Sequence, residues 1–265
     1  MVKHFGAQIL KKVVSVAARR LLGTITHFET DDNVAALTFD DGPHPEFTPR
    51  LLDVLKKHQA RATFFMLGEA AAEYPGIVRS VAQGGHAVGN HSWDHPSFVL
   101  IDGRERRRQI RACASAIAPY NGLRLFRSPY GHQNMASRFD ALWLRHQVIM
   151  FNVVAEDWLD RDAEWMANSL VTKIRPGSIV LLHDAIKRSV QAFPQHDRQP
   201  MLEAVEMTLE RLRGKFRFIT IPELFRCGRP QRQNWYHEPE PELMPRLHKH
   251  PLVAKRLRGS KSTVQ

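Results

Sequence analysis

The sequence predicts a parallel α/β fold, arranged as a sheet or as a barrel. Three observations predict it. Short runs of β-branched or aromatic residues alternate about seven times with longer stretches in which apolar residues recur at helical spacing. Chemically reactive side chains follow the ends of five predicted strands, which is where parallel α/β barrels hold their active sites. The chain is also 43% hydrophobic and 25% charged, which are ordinary values for a folded domain.

The alternation allows the elements to be assigned in order. Seven strands are predicted, at residues 35–39, 61–66, 86–89, 123–127, 147–153, 178–182 and 215–220. Six helices are predicted between them, at residues 47–58, 70–83, 102–118, 137–146, 162–174 and 201–212. This order predicts one domain at residues 24–228, between a basic N-terminal segment (1–23) and a basic, proline-containing C-terminal tail (229–265).

The two ends of the chain differ from its body in composition. The N-terminal segment predicts an amphipathic helix, because Phe5, Ile9 and Val13 fall on one face. The C-terminal tail contains five prolines, so we expect it to be mostly irregular. The net charge of +11 is concentrated at these ends, which carry +5 each and leave +1 for the body. Such ends suit contact with an anionic membrane surface, or serve simply as solvated tails.

Composition also excludes several classes of protein. No apolar run approaches the roughly 20 residues of a membrane-spanning helix. The best candidate for a secretory signal core, Val13–Ala18, is short and runs into two arginines, so we expect a cytoplasmic protein, peripheral to the inner face of the membrane if its basic ends bind lipid. Two cysteines, Cys113 and Cys227, form neither a disulfide framework nor a four-cysteine metal site. No recognition motif accompanies the basic charge, so no nucleic-acid partner is expected.

Five polar segments follow predicted strands, and each carries side chains that can do chemistry. They are Asp40–Pro43, His91–His95, Arg127–Tyr130, Asp157–Trp158 and His183–Asp184. Because the carboxyl ends of parallel strands share one face, we expect the five segments to converge on one pocket. Any one of them could be an ordinary polar turn, but that explanation does not account for their joint position at strand ends.

Four of these residues predict a metal site. His91 and His95 are four residues apart, a spacing that lets two imidazoles reach one ion. The adjacent Asp40 and Asp41 can supply a carboxylate ligand and a separate base, because neighbouring side chains at a strand end diverge. Two imidazoles and one carboxylate leave a coordination position open for water, which is the catalytic rather than the structural arrangement.

The string Thr38–Pro43 (TFDDGP) resembles the first signature of the NodB-type polysaccharide deacetylases, carbohydrate esterase family 4. The other four segments resemble the remaining signatures in the family's order, so the resemblance covers about residues 24–226. One departure is Val154, where the family commonly has an aspartate three residues before its Asp-Trp pair. The resemblance implies a distorted parallel (β/α) barrel with about seven strands, the NodB homology domain.

The resemblance also implies how the metal and the nucleophile are handled. Asp41, His91 and His95 would bind a divalent metal, usually Zn²⁺. Asp40 would be the general base that activates water, and Arg127 would hold Asp40 in place. All five residues stand in this sequence at the matching positions.

The remaining implied roles concern the leaving group and the acetyl group. His183 would protonate the leaving amine, oriented by Asp157. The backbone N–H of Tyr130 would stabilise the oxyanion, and Trp158 and Leu181 would line the pocket for the acetyl methyl.

These residues together indicate a metal-dependent hydrolase that deacetylates N-acetylated amino sugars in an oligosaccharide, a polysaccharide or a lipid-linked glycan. With no secretory signal evident, an oligosaccharide or a lipid-linked sugar is the more natural substrate. An O-acetyl esterase, or another C–N amide hydrolase on the same metal site, is the alternative, because related folds host several such hydrolyses. A non-catalytic carbohydrate-binding module would have lost catalytic positions, whereas all of them are present here.

Overall fold

The computed structural model describes residues 23–187, 197–235 and 237–261. Strands and helices alternate through most of these ranges and build a parallel sheet that curls into a partial barrel. Apart from Gly23, the predicted N-terminal amphipathic helix lies outside the described residues. The amphipathic helix at residues 1–23 therefore remains a prediction from the sequence.

The bounds of the elements are as follows. The strands are β1 (Thr24–Glu29), β2 (Val34–Asp40), β3 (Ala62–Met66), β4 (Ala87–Asn90), β5 (Leu125–Phe126), β6 (Gln147–Val148), β7 (Val153–Val154), β8 (Ile179–His183), β9 (Arg217–Phe218) and β10 (Arg229–Gln233). The α-helices are α1 (Phe47–Lys57), α2 (Gly68–Glu73), α3 (Pro75–Gln83), α4 (Gly103–Ala116), α5 (Met135–Trp143), α6 (Ala163–Lys173), α7 (Gln199–Arg211), α8 (Ile221–Cys227), α9 (Met244–Leu247) and α10 (Pro251–Lys261). Across the three described ranges, no helix combines the length and apolar character needed to cross a membrane.

The main sheet confirms the predicted parallel (β/α) barrel. Its strand order is β6-β5-β4-β3-β2-β8-β7, and β9 pairs with the start of β2. Every pair in this sheet is parallel. The strands β6 and β7 stand at the two ends of the order, so the barrel is not closed by pairing between them.

Strand β2 shows how side-chain alternation separates the two faces of this sheet. Leu37 and Phe39 belong to the outer hydrophobic cluster, which also contains residues of α1 and α7. Ala36 belongs to the inner cluster on the opposite face. Thr38 and Asp40 follow the same alternation as Ala36, so the aspartate that ends β2 faces the interior of the barrel. A carboxylate buried there needs a polar or charged partner.

The predicted strand at 147–153 is two short strands, β6 and β7. Between them, the carbonyl oxygens of Ile149 and Met150 accept hydrogen bonds from the guanidinium of Arg127, at 3.3 and 3.1 Å. The N–H of Met150 donates to the carbonyl of Ile25 in β1, at 2.7 Å. The strand is interrupted between β6 and β7 because the Arg127 side chain and β1 form the hydrogen bonds that the backbone of a neighbouring strand would otherwise form.

The predicted helix at 70–83 is also two elements, α2 and α3. They meet at Tyr74, which has a φ of −121° and a ψ of 56°. Tyr74 precedes Pro75, and the proline ring disfavours helical dihedral angles in the residue before it.

The expectation of a mostly irregular C-terminal tail is wrong for the described residues. Strand β10 pairs antiparallel with β1 over its whole length. Helix α10 packs Leu252 and Val253 against a cluster that contains Phe98 and Ala141. The sequence of β10, RPQRQ, has no hydrophobic alternation, so the usual signal for a strand is missing there.

Gly177 precedes β8 at a point where the chain runs close to β1. Its φ is +76°, and a Cβ at this position would lie 1.8 Å from the carbonyl oxygen of Phe28. The N–H of Phe28 donates to the carbonyl of Gly177 at 2.9 Å, which holds the two backbones together. We expect Gly177→Ala to lower the free energy of unfolding by about 2–4 kcal/mol, measured by urea denaturation.

Gly214 provides the matched control for this substitution. Its φ is +73°, but nothing lies within 4 Å of the position a Cβ would take. Gly214→Ala should therefore cost only about 1 kcal/mol. Equal losses in the two variants would show that the dihedral angle, rather than the contact with Phe28, explains the requirement for glycine.

Candidate active site

The predicted site residues meet at the carboxyl ends of the parallel strands. The sheet register pairs Asp40 of β2 with His183 of β8. The N–H of Arg127, just after β5, donates to the carbonyl of Asn90 at the end of β4, at 3.0 Å. Contacts and strand register connect all ten predicted residues, namely Asp40, Asp41, His91, His95, Arg127, Tyr130, Asp157, Trp158, Leu181 and His183.

Asp40 is buried and held by Arg127. The guanidinium Nη1 lies 2.7 Å from Asp40 Oδ1 and donates a second hydrogen bond to Thr38 Oγ1 at 2.8 Å. The Arg127 side chain is 1% exposed and lies over the ring of Phe65. One oxygen of Asp40 is thus fixed by a charge-assisted hydrogen bond. The other, Oδ2, lies 3.8 Å from His91 Nε2.

Asp41, His91 and His95 form a compact, buried cluster. Asp41 Oδ1 lies 3.4 Å from His91 Nε2 and 3.2 Å from His95 Nε2. One ligand atom from each of the three residues lies within 4.8 Å of the others. Asp41 Oδ1 is itself buried without a hydrogen-bond partner, whereas Oδ2 accepts from the N–H of Lys187 at 3.0 Å.

The chemistry of this cluster fits a divalent cation. His91 Nδ1 lies 2.9 Å from the carbonyl oxygen of Arg127, so Nδ1 carries the proton and the lone pair of Nε2 faces Asp41 Oδ1. A nitrogen lone pair and a carboxylate oxygen repel each other unless a positive charge lies between them. Two imidazole nitrogens and one carboxylate oxygen are a donor set typical of catalytic zinc.

The electrostatics of the cluster favour the protonation states that a metal needs. Burial lowers the pKa of His95 to about 3, although Asp41 opposes this shift, so the ring is neutral at neutral pH. Burial alone would raise the pKa of Asp41, but its interactions with His95 and His91 outweigh burial and lower that pKa below its usual range. A neutral imidazole and an ionised carboxylate are the forms that bind a cation.

Left-handed backbone angles recur around the site. Asp41, His95 and Tyr130 have φ values of 72°, 67° and 58°. Such angles are uncommon for residues other than glycine and cost on the order of 1–3 kcal/mol each. Asp41 follows β2, His95 lies in the loop after β4, and Tyr130 lies in the loop after β5. The fold therefore holds three residues of the site in a backbone conformation that residues other than glycine disfavour.

His183 and Asp157 form a second pair across the mouth of the barrel. His183 Nδ1 lies 3.0 Å from Asp157 Oδ1, and the N–H of His183 donates to Asp157 Oδ2 at 2.8 Å. Burial would lower the pKa of His183, but the charge of Asp157 and its hydrogen bond, with smaller contributions from Asp41 and Asp40, raise it to about 9. His183 is therefore protonated at neutral pH, as a general acid must be.

The residues predicted to contact the substrate lie next to these two groups. Tyr130 packs its ring 4.2 Å from that of His95. The ring of Trp158 is perpendicular to that of His183, with centroids 5.4 Å apart. Leu181 precedes His183 by two residues on β8, so both side chains point to the same face of the sheet.

Comparisons with known proteins agree with this geometry. Residues 27–148 match the family described as polysaccharide deacetylase. The peptidoglycan-N-acetylglucosamine deacetylase of Bacillus cereus is 33% identical over 205 residues, which make up 74% of this chain and 70% of that protein. The chain belongs to the polysaccharide deacetylase family. The resemblance inferred from the five signatures is thereby confirmed.

Two further relatives extend the match. The chitooligosaccharide deacetylase of Azorhizobium caulinodans is 37% identical over 169 residues, which make up 62% of this chain and 80% of that protein. A crystal structure of a peptidoglycan N-acetylglucosamine deacetylase, bound to an N-oxidanyl-benzamide compound, is similar with a TM-score of 0.68 and 32% identity. That alignment covers 78% of this chain and 94% of the other. The family and the fold of this chain are therefore shown by sequence and by structure.

The sequence did not reveal one buried residue of the site, Arg198. Its guanidinium forms an ion pair with Asp157 Oδ2 and donates to the carbonyls of Asp157 and His183, at 2.9 and 3.1 Å. Arg198 thus holds Asp157 in place, and Asp157 in turn holds His183. It lies outside the five signatures, just before a predicted helix, so its sequence context did not distinguish it from the other basic residues of a chain with 38 lysines and arginines.

Asp184 supports the turn that carries Asp41. It is buried, and Thr48 Oγ1 donates to its Oδ2 at 2.5 Å. A Cβ on Gly42 would lie 2.3 Å from the same oxygen, which explains the glycine after the aspartate pair. Burial and the nearby negative charges of Asp41 and Asp40 raise the pKa of Asp184 to about 7. The sequence marked Asp184 as part of a signature without indicating this contact.

A second cluster of metal-binding residue types, His58, Glu206 and Glu210, lies outside the active site. The ammonium of Lys57 is already 2.5 Å from Glu206 and 3.9 Å from Glu210. Both carboxylates are partly exposed. Because Lys57 already neutralises these carboxylates, we interpret the cluster as a surface ion-pair network rather than as a second metal centre.

Proposed function

We propose that this protein hydrolyses the acetamido group of N-acetylated amino sugars in an oligosaccharide, a polysaccharide or a lipid-linked glycan, and that it requires a divalent metal, most favourably Zn²⁺. The observation that carries the proposal is the placement of a buried carboxylate, Asp40, and an imidazole held by Asp157, His183, around the same three-residue cluster. The named activities of the relatives, on peptidoglycan and chitooligosaccharides, support the class of substrate.

Asp41, His91 and His95 would hold the metal. When bound, a divalent cation polarises the acetyl carbonyl and makes water easier to deprotonate near neutral pH. The buried, partner-free Asp41 Oδ1 and the lone pair of His91 Nε2 support this assignment. The basic charge at the two ends of the chain supports a substrate linked to an anionic lipid surface.

Asp40 and His183 carry out the proton transfers in this proposal. Asp40 accepts a proton from the attacking water at Oδ2, while Arg127 holds Oδ1 in place. His183 donates its Nε2 proton to the amide nitrogen as the C–N bond breaks, because its Nδ1 is held by Asp157. The N–H of Tyr130 would stabilise the oxyanion, and Trp158 and Leu181 would line the methyl pocket, consistent with their position beside His183.

The test is acetate release from chitooligosaccharides, peptidoglycan fragments and lipid-linked N-acetylglucosamine, measured with and without a chelator. We expect release from at least one of these substrates, loss of that release after metal removal, and recovery when Zn²⁺ is added. Acetate release that persists in metal-free protein would contradict the proposal. Release from O-acetylated sugars alone would favour the esterase alternative.

Asp157→Asn is expected to move the alkaline limb of the kcat/KM profile to lower pH. The protonated form of His183 is needed, and its pKa of about 9 keeps that form present until the pH passes 9. Without the negative charge of Asp157, burial dominates and the pKa of His183 falls, so we expect the limb to shift downward by about 1–2 pH units. The pH–rate profile of the variant measures this shift, and an unmoved limb would assign the titration to another group.

Arg198→Met is expected to lower kcat by about 10–100-fold with KM nearly unchanged, because Arg198 contacts Asp157 and His183 but not the reacting atoms. Arg198→Lys should recover part of that loss, since it restores the charge without the fork of hydrogen bonds. Arg211→Met is the control, because Arg211 at the end of α7 pairs with the exposed Glu164 of α6. Steady-state kinetics of the three variants measure these effects. An unchanged kcat in Arg198→Met would refute the positioning role of Arg198.

A further inference from the structure

The exposed side of helix α5 is apolar, and its buried side carries three polar residues beside Ala141, whereas an ordinary surface helix turns its polar residues outward. Ser137, Arg138 and Asp140 are buried. The four exposed residues of the helix are all apolar, namely Met135, Ala136, Phe139 and Trp143. The exposed fractions of the three large side chains are 48%, 53% and 68%.

The three large side chains form a continuous stripe. Met135, Phe139 and Trp143 are four residues apart, so they lie on one face of the helix, and the last two rings are 6.0 Å apart. The helix cannot rotate to hide them, because Asp140 on the opposite side is paired with Arg106 and Arg107 of α4. Single exposed apolar residues are common, but a contiguous stripe marks a surface that meets something else.

Basic side chains flank this stripe on two sides. Helices α4 and α10 share a hydrophobic cluster with α5, so they lie beside it. Their exposed basic residues are Arg104, Arg108 and Arg111 on α4, of which Arg108 is paired with Glu105, and Lys255 and Arg256 on α10. The face therefore combines aromatic rings in its centre with positive charge at its margins.

A groove of about 570 Å³ lies at the C-terminal end of α5. Leu144, which follows Trp143 in the chain, forms part of its wall. Arg111, Asn121 and Arg124 contribute guanidinium and amide groups to the same groove. Guanidinium groups suit phosphate oxygens, because their planar donors bind two oxygens at once.

We propose that the outer face of α5, with this basic groove, docks on the surface of an anionic phospholipid bilayer. Phe139 and Trp143 enter the headgroup region, where aromatic side chains are favoured, and the arginines bind lipid phosphates. A second copy of this chain fits the face less well, since two copies would bring the flanking positive charges together. Helix α5 begins at Met135, five residues after Tyr130 in the chain.

The experiment is cosedimentation of the full-length protein with vesicles. We expect binding to vesicles of phosphatidylcholine mixed with phosphatidylglycerol, and much weaker binding to phosphatidylcholine alone. The double variant Phe139→Glu/Trp143→Glu should weaken binding to the anionic vesicles by about tenfold or more. Both basic ends of the chain remain in this variant, so the loss would assign the binding to α5.

Trp165→Glu is the matched control, because Trp165 is 38% exposed on α6, outside the face. It should bind vesicles as the unmodified protein does. Trp143→Phe gives a second readout that preserves the fold: quenching of tryptophan fluorescence by brominated lipid should fall in that variant. Undiminished vesicle binding by the double variant, or undiminished quenching in Trp143→Phe, would overturn the proposal. The proposal would also be overturned if the protein did not bind vesicles but formed a dimer that the double variant dissociated. That result would assign the face to self-association.

Discussion

Asp40→Asn is expected to lower kcat/KM for acetate release by about 10³-fold or more. An amide has nearly the shape of the carboxylate and can still accept the hydrogen bond that Arg127 donates at 2.7 Å. It cannot take up the proton of the attacking water. Asp40 is not among the three residues that would hold the metal, so the metal content of the variant, measured by elemental analysis, should equal that of the unmodified protein.

The control for this variant is Asp53→Asn, because Asp53 is an exposed residue of α1 away from the site. It should retain full activity. An Asp40→Asn protein with normal turnover would show that another group takes the proton, and the assignment of the base would have to be abandoned. A variant that lost metal along with activity would instead place Asp40 among the ligands.

His91→Ala is expected to lose both the metal and the activity. Its imidazole is fixed by the carbonyl of Arg127 on one side and faces Asp41 on the other, so alanine removes a ligand atom that the fold holds in place. Two ligands, Asp41 and His95, would remain, and we expect metal affinity to fall by about 10²-fold and turnover by about 10³-fold or more. Competition with a chromophoric chelator measures the affinity, and acetate release measures the turnover.

His27→Ala serves as the control for removal of an imidazole, because His27 lies in β1, outside the cluster. It should bind metal normally. Should His91→Ala keep the stoichiometry and affinity of the unmodified protein, the three-residue centre would be wrong. Together with Asp40→Asn, this variant separates loss of proton transfer from loss of the ion.

The core of the site could be predicted because its residues follow strands that the hydrophobic pattern identifies. Once β2, β4, β5 and β8 were assigned, parallel pairing alone required Asp40, His91, Arg127 and His183 to meet. Strand alternation then directed Asp40 toward the inner face of the sheet, where Arg127 lies. The roles of these residues stay predictions until the variants are measured.

Other features had no signal in the sequence. Arg198 joins the site from just before α7, and its partner Asp157 lies 41 residues earlier. In β10 the residues are polar, and its pairing with β1 is a long-range contact that local patterns do not encode. The spacing of Phe139 and Trp143 is typical of a buried helix face, yet both are exposed, because Asp140 and its arginine partners turn the opposite side of α5 inward.

The antiparallel pairing of β1 with β10 has a practical consequence for the preparation of shortened forms of this protein. A recombinant fragment that stops at Cys227 would keep all ten predicted catalytic and ligand residues. It would also leave an open strand edge along β1, and it would remove the backbone bonds that join Gln133 to His237 at 2.9 and 3.2 Å. Bare edges of this kind recruit other chains, so we expect trimming at Cys227 to cause strand exchange and precipitation, whereas a fragment reaching past His237 keeps this edge covered.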